Sequence, residues 1–74
     1  MEVTKEKLKK EIGKKIKFLR EQRGWSQSDL ARACEKDRQA IEKIENGKVN
    51  PTVFSLLEIS KALSVPLSEL VTFK

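Results

Sequence analysis

Apolar residues recur along the first part of the chain at the spacing of one helical face. Between Thr4 and Gly24 they stand three or four positions apart, at Leu8, Ile12, Ile16 and Leu19. This period is typical of an amphipathic helix, whereas a half-buried strand alternates apolar and polar residues. No segment of the chain shows that alternation. The pattern therefore predicts an all-α protein.

Capping residues divide the chain into five predicted helices. Short polar side chains, which can accept a bond from a free N–H of a first turn, stand at four predicted N-caps: Thr4, Ser26, Asp37 and Thr52. Two glycines mark predicted C-terminal ends, Gly24 and Gly47. The predicted helices are the stretch between Thr4 and Gly24, then 27–34, 38–46, 53–63 and 66–71. We expect them to form a single domain, 1–74.

The start of the second predicted helix, WSQSDLARAC, carries the fullest set of signals. Ser26 is followed three residues later by Asp29, which is the spacing of a capping box. Trp25 precedes the cap and Leu30 follows it at the position that a hydrophobic staple requires. Only residues 35–37 separate this helix from the next, so the two helices are joined by a tight turn.

The third predicted helix has a narrow apolar side and a broad polar one. At about 100° per residue, Ala40, Ile41 and Ile44 share one side, where neighbouring helices can hold them. The opposite side and its edge carry polar residues, at Arg38, Gln39, Glu42, Lys43 and Asn46. Arg pairs with guanine, Gln with adenine and Glu with cytosine in the DNA major groove. The alternative is an ordinary surface helix with an Arg38–Glu42 ion pair.

The order of these pieces resembles the Cro/phage-repressor (Xre-type) helix-turn-helix family. The matching positions, in chain order, are Ile16, Leu19 and Arg20; Gly24, Ser26, Gln27, Leu30 and Ala31; Ile41 and then Ile44 to Lys48; Pro51; and the apolar series Leu56, Leu63, Val65 and Leu70. The resemblance covers about residues 12–70, with the helix-turn-helix at about 26–46. It implies a compact, five-helix, lambda-repressor-like DNA-binding domain whose third helix enters the major groove.

The resemblance also implies roles for particular residues. Base contacts fall to the first turns of the third helix, at Arg38, Gln39 and Lys43, with Glu42 as a possible fourth. Sugar-phosphate contacts fall to Ser26, Gln27, Asn46 and Lys48, and Gln27 also steadies the recognition helix. Arg20 and Glu45 match an internal ion pair. The helical wheel places Glu45 towards the apolar side, where an acid needs a partner.

Four residues depart from the family pattern. Glu35 stands where the turn usually has Gly, a position that often needs a left-handed backbone. Cys34 occupies an apolar position and is interpreted as a small buried hydrophobe. Trp25 replaces an aliphatic residue, so it is either part of the core or a stacking platform. Phe18 lies off the apolar stripe of the first helix, so it is either half exposed or in contact with a partner.

The last two predicted helices supply the remaining apolar positions, which are Phe54, Leu56, Ile59 and Leu63, followed by Leu67 and Leu70. Beyond Leu70, Val71 and Phe73 continue this apolar character. Together with Leu67 they are candidates for a dimer interface. The alternative is that the tail packs back onto the first helix.

The charge of the chain is modestly basic and uneven. There are 16 Lys and Arg against 11 Asp and Glu, a net charge of +5, which suits a polyanionic partner. Residues 1–17 hold seven Lys against three Glu, or +4, and the remaining nine cations and eight anions give +1. The third helix therefore does not recognise its target by bulk charge. The lysine run is either a solvated face or part of a binding surface.

Composition narrows the possible functions. The chain has one Cys and no His, so we expect no intrachain disulfide, metal, cofactor or catalytic site. No apolar run approaches the ~20 residues of a membrane span, and the N-terminus lacks the apolar part of a signal peptide. We expect a soluble cytoplasmic protein that is not an enzyme and has no evident small-molecule ligand.

Two functions remain after this reasoning. The first is a sequence-specific regulator of transcription that binds double-stranded DNA as a homodimer on a palindromic operator. The second is a protein-interaction module, for example an antitoxin, because one fold can serve several functions. An antitoxin would usually need a further segment, and this sequence ends four residues after Leu70, which favours the first function.

Overall fold

Five helices account for the regular structure of the computed structural model, which describes residues 4–73. They are α1 (Lys5–Gln22), α2 (Gln27–Ala33), α3 (Arg38–Glu45), α4 (Val53–Ala62) and α5 (Leu67–Leu70). No strand occurs within these residues, so the predicted all-α fold is confirmed. The predictions for α2, α3 and α4 each ran one residue too far. The extra residue is the C-cap, Cys34, Asn46 or Leu63, whose N–H still bonds back into its helix.

Three of the four predicted side-chain caps are present. The Thr4 hydroxyl accepts a bond from the backbone N–H of Lys7 at 3.1 Å, and Ser26 and Asp29 form the reciprocal capping box. Thr52 accepts from the N–H of Ser55 at 3.0 Å. The prediction for Asp37 was wrong in part: it is the N-cap residue of α3, but its carboxylate makes no capping bond. The N–H of Ala40 donates to the Asp37 carbonyl instead, at 3.0 Å.

The core draws on all five helices. The most deeply buried apolar side chain of each is Ile16, Leu30, Ile41, Ile59 and Leu70, in chain order. Burial of such a side chain contributes about 1.5–3 kcal/mol, which a helix of eight residues cannot obtain alone. The short α3 is therefore held by its neighbours through Ile41 and Ile44, and its polar side is left free.

Two glycines let α1 lie directly on the C-terminal end of α3. A Cβ at Gly13 would come within 2.4 Å of the Glu45 carbonyl oxygen and 2.5 Å of that of Ile44. At Gly47, whose φ is +69°, a Cβ would meet the Lys10 side chain at 2.9 Å. The sequence analysis predicted Gly47 only as a helix end and assigned no role to Gly13. A glycine inside a helical pattern was the available signal, because it often marks a close approach.

The turn between α2 and α3 has the predicted left-handed residue. Glu35 has a φ of 55°, and the N–H of Lys36 closes the turn on the Ala31 carbonyl at 2.8 Å. Lys36 also pairs with Glu58 at 2.9 Å, which ties the turn to α4. Ser64, after α4, has a similar φ of 58°, a feature that the sequence analysis missed.

Phe54 was predicted among the apolar positions of the fourth helix, but its side chain does not pack into the core. Its side chain is 67% exposed, and that of the neighbouring Val53 is 71% exposed. Phe54 lies about 160° around the helix from the buried Leu56 at 100° per residue. Only Leu56, Ile59 and Leu63 of the predicted set reach the core.

The other residues that depart from the family pattern, Cys34, Trp25 and Phe18, differ in how deeply they are buried. Cys34 is buried, and its thiol donates to the Leu30 carbonyl. Trp25 packs against the core, with the Arg23 guanidinium 4.5 Å from its ring centre. Phe18 is about half exposed, at 55%. No helix within residues 4–73 combines the length and the apolar character needed to cross a membrane.

Candidate nucleic-acid interface

The polar side of α3 begins with exposed side chains. Arg38, Gln39 and Lys43 are exposed, whereas Glu42 is only half exposed. All four were predicted as base contacts, and they project from the first two turns of a helix whose opposite side is buried. Each can donate or accept several hydrogen bonds. The geometry therefore offers a row of hydrogen-bonding groups on a rigid support.

A buried ion pair joins α3, the helix that carries these side chains, to α1. Arg20 Nε donates to Glu45 Oε2 at 2.7 Å, and Arg20 Nη2 donates to Glu45 Oε1 at 3.0 Å. Both residues are at least nine-tenths buried. Arg20 Nη1 donates to the Trp25 carbonyl at 2.7 Å, so the guanidinium joins α1, α3 and the loop before α2. The hydrogen bond to Glu45 raises the pKa of Arg20 against the opposing effect of burial.

Gln27 connects the buried pair to the exposed Arg38. Its Nε2 donates to Glu45 Oε1 at 3.1 Å, and its Oε1 accepts from Arg38 Nη1 at 3.1 Å. Because the amide donates on one side and accepts on the other, it transmits the fixed position of Glu45 to Arg38. The sequence analysis assigned Gln27 a steadying role but did not identify Arg38 as the residue it holds.

Glu42 is engaged by residues at the far end of α3. Lys48 Nζ lies 3.1 Å from Glu42 Oε2, and the Asn46 amide donates to the same oxygen. Both bonds lower the pKa of Glu42, and the bond from Lys48 has the larger effect. The surface-helix alternative predicted an ion pair between Arg38 and Glu42. Within residues 4–73 this ion pair does not form, because Arg38 bonds to Gln27 instead. Arg38 is therefore held by a residue of α2 and not by Glu42.

Two further predicted backbone contacts lie at helix ends. The Ser26 hydroxyl accepts from the N–H of Asp29 at 3.1 Å, which leaves its own O–H available to a phosphate oxygen. Asn46, the C-cap of α3, is exposed. These positions stand at the start of α2 and at the end of α3.

The candidate dimer residues divide into two kinds. Leu67 and Phe73 are partly buried and pack against the core, whereas Val71 is 45% exposed. Phe18 and Phe73 line one groove between α1 and the tail. Phe73 thus packs inward beside α1, and Val71 keeps an apolar surface towards solvent.

Comparison with known proteins places this arrangement in a family. A family model described as helix-turn-helix matches residues 16–70. Over 67 residues the chain is 37% identical to the HTH-type transcriptional regulator SutR of Escherichia coli (strain K12), covering 90% of this chain but 38% of SutR. Over 64 residues it is 39% identical to the control protein C.MunI of a Mycoplasma species, covering 85% of this chain and 86% of that protein.

The fold agrees with a solved structure. The crystal structure of a hypothetical transcription factor, NHTF, from Neisseria superposes with a TM-score of 0.87 at 26% identity, over 95% of this chain and 80% of that one. The family match covers the ion pair, the turn and α3 described above. The chain therefore belongs to the Cro/phage-repressor (Xre-type) family of helix-turn-helix transcriptional regulators.

Proposed function

We propose that this protein is a sequence-specific regulator that binds double-stranded DNA with α3 in the major groove. The observation that carries the proposal is the bond from Arg38 to Gln27, which is itself bonded to the buried Glu45. An arginine held in this way loses little further freedom when it meets a base, so less free energy is spent on ordering it. We propose the cytoplasm as its compartment.

The residues would divide between reading and positioning. Arg38 and Gln39, exposed in the first turn, would contact base edges together with Lys43, and Glu42 would be a fourth reader. Ser26, Gln27, Asn46 and Lys48 would contact the sugar-phosphate backbone. Phosphate contacts position a protein on DNA, and base contacts specify the sequence. Lys48 would exchange its bond to Glu42 for one to a phosphate.

A homodimer on a palindromic operator is the assembly that we propose. One short helix reads too few base pairs for useful specificity, whereas two related by a two-fold axis read half-sites about 34 Å apart. The exposed Val71, with Leu67 and Phe73 beside it, would supply apolar surface for the contact.

A protein-interaction module is the second candidate function. Val53 and Phe54 expose two adjacent apolar side chains at the start of α4, and such patches often mark binding sites for other proteins. A regulator that binds only DNA and a second copy of itself would not need these exposed apolar side chains. This reading predicts that Phe54→Ser leaves DNA binding unchanged.

Selection of bound duplexes from a random pool tests the proposal directly. We expect one palindromic sequence to be enriched and to bind at least about 10³-fold more tightly than a scrambled duplex at physiological salt. Sedimentation with the selected duplex should give two protomers per duplex. Recovery of no preferred sequence would contradict sequence-specific regulation, and one protomer per duplex at saturation would contradict the dimer.

A further inference from the structure

We propose that α1 carries a second contact for the DNA backbone, formed by Lys10, Lys14 and Lys17, which we call the α1 lysine face. This inference rests on the proposed function, since it assumes that α3 meets DNA. It extends the backbone contacts proposed at Asn46 and Lys48 onto a helix outside the helix-turn-helix. The partner is the sugar-phosphate chain, recognised by charge and not by sequence.

The packing of α1 on α3 places these lysines beside the end of the recognition helix. The missing side chain of Gly13 lets the α1 backbone meet the carbonyls of Ile44 and Glu45, and Gly47 sits against the backbone and side chain of Lys10. A larger residue at either glycine would push the two helices apart. The close approach therefore fixes the distance between the α1 lysine face and Asn46.

The three lysines share one side of α1. Their spacing of four and three residues places them within about 60° of each other at 100° per residue. All three are exposed, and with Glu45 and Asn46 they line one recess at the α1–α3 junction. The surface of Asn46 is thus continuous with that of the lysines.

The charge of this face is not neutralised by the neighbouring acids. Glu45 lines the recess, but both its oxygens accept from Arg20, and Oε1 also accepts from Gln27. Within residues 4–73, neither Lys10 nor Lys17 forms an ion pair, and Lys14 has only the 3.7 Å contact with Glu11. A row of cations, two of them without an ion pair within residues 4–73, beside a proposed phosphate contact is complementary to a polyanion.

A structural role is the competing explanation for these lysines. Cations near the C-terminal end of a helix stabilise it through the helix dipole, and this face lies at the C-terminal end of α3. That explanation predicts a loss of stability when the lysines are replaced. The DNA-contact explanation predicts an altered dependence of DNA binding on salt. The two effects are measured separately.

The test uses Lys10→Gln, Lys17→Gln and the double variant, with Lys61→Gln as a matched control. Glutamine removes the charge and shortens the side chain, but it keeps the Cγ that in Lys10 packs near Gly47. Lys61 is also exposed, and within the described residues it forms no ion pair, but it lies on α4 and lines a different recess, with Glu58 and Cys34. Binding to the selected and the scrambled duplex is measured over a salt series, and thermal unfolding is measured without DNA.

We expect the slope of log K against log salt to fall by about 0.9 per protomer for each single variant and about 1.8 for the double variant. At 0.1 M salt the double variant should bind up to about 60-fold more weakly per protomer, because 10 to the power 1.8 is about 60. The loss should be equal on both duplexes, with thermal stability retained and the control unchanged.

Three results would overturn the inference. They are an unchanged slope in the double variant, a change equal to that of Lys61→Gln, and a lower melting temperature with no change in slope. If the native protein discriminates between the two duplexes while the slope is unaltered, this inference fails and the proposed function stands. If the native protein binds both duplexes equally but the slope falls, the sequence-specific function fails and the lysine contact stands.

Discussion

The side-chain oxygen of Gln27 accepts a hydrogen bond from Arg38 at 3.1 Å, although the two residues lie on different helices and 11 positions apart. The amide nitrogen of the same side chain donates to Glu45, which is buried. An exposed side chain of α3 is therefore tied to the core through one glutamine. This relationship makes the position of Arg38 depend on a residue outside α3.

The first prediction concerns that link. Gln27→Ala should weaken specific binding by about 0.5–1.5 kcal/mol, the usual worth of one hydrogen bond, because Arg38 loses its support. A double-mutant cycle with Arg38→Ala on the selected duplex should give a coupling energy of similar size. Additive effects would show that Gln27 does not act through Arg38.

The second prediction separates base reading from backbone contact. Arg38→Ala should cost about 1–3 kcal/mol on the selected duplex and little on a scrambled one. Lys48→Ala should weaken both duplexes alike and lower the salt slope by about one per protomer. Titrations of both variants on both duplexes over a salt series provide the measurement. Indistinguishable variants would remove the main support for sequence-specific binding.

The third prediction concerns the buried pair of Arg20 and Glu45. Arg20→Ala should destabilise the fold by on the order of 3 kcal/mol, because it leaves a buried carboxylate without its partner. Denaturant unfolding of both single variants and of the double variant gives the coupling energy. Lys14→Ala is the control, because its ion pair with Glu11 is long and its side chain is 75% exposed. A cost below about 1 kcal/mol for Arg20→Ala would place the pair among ordinary surface contacts.

The fourth prediction uses the left-handed turn. Glu35→Gly should stabilise the protein by up to about 1 kcal/mol, because glycine adopts a φ of this sign without steric cost. Ser64→Gly, at a φ of 58°, should act in the same direction. Glu21→Gly, within α1, should destabilise by about 1 kcal/mol. The midpoints of chemical denaturation test all three, and a lower midpoint for Glu35→Gly would refute the strain at this turn.

The fifth prediction concerns pH. The backbone N–H of Ser26 donates to the Asp29 carboxylate at 2.8 Å and lowers the pKa of Asp29. The stabilisation is therefore complete above the unfolded-state pKa, near 3.9, and is lost as pH falls through the lower folded-state pKa. The difference in melting temperature between native protein and Asp29→Asn should be constant above about pH 5 and shrink below pH 4. A difference that persists at pH 2 would contradict the capping role.

Most of what the sequence determined is local. Helix starts depend on a cap and a first turn, so Thr4, Ser26 and Thr52 could be assigned without knowledge of distant residues. The strain at Glu35 could be expected for the same reason, since one residue type is poorly suited to one backbone conformation. The core sides of α1 and α3 followed from apolar periodicity, which reflects a single buried face on each helix.

The tertiary structure decided the pairings between distant residues. The wheel marked Glu45 as an acid in need of a partner, and the family resemblance pointed to Arg20, but only packing placed Gln27 between Glu45 and Arg38. In the same way, Lys48 reached Glu42 because the chain turns back after Gly47. The exposure of Phe54 depended on which side of α4 the other helices cover. These contacts and exposures are set by the relative placement of the helices, which depends on how whole helix surfaces fit together. The hydrophobic spacing within one helix does not determine that placement.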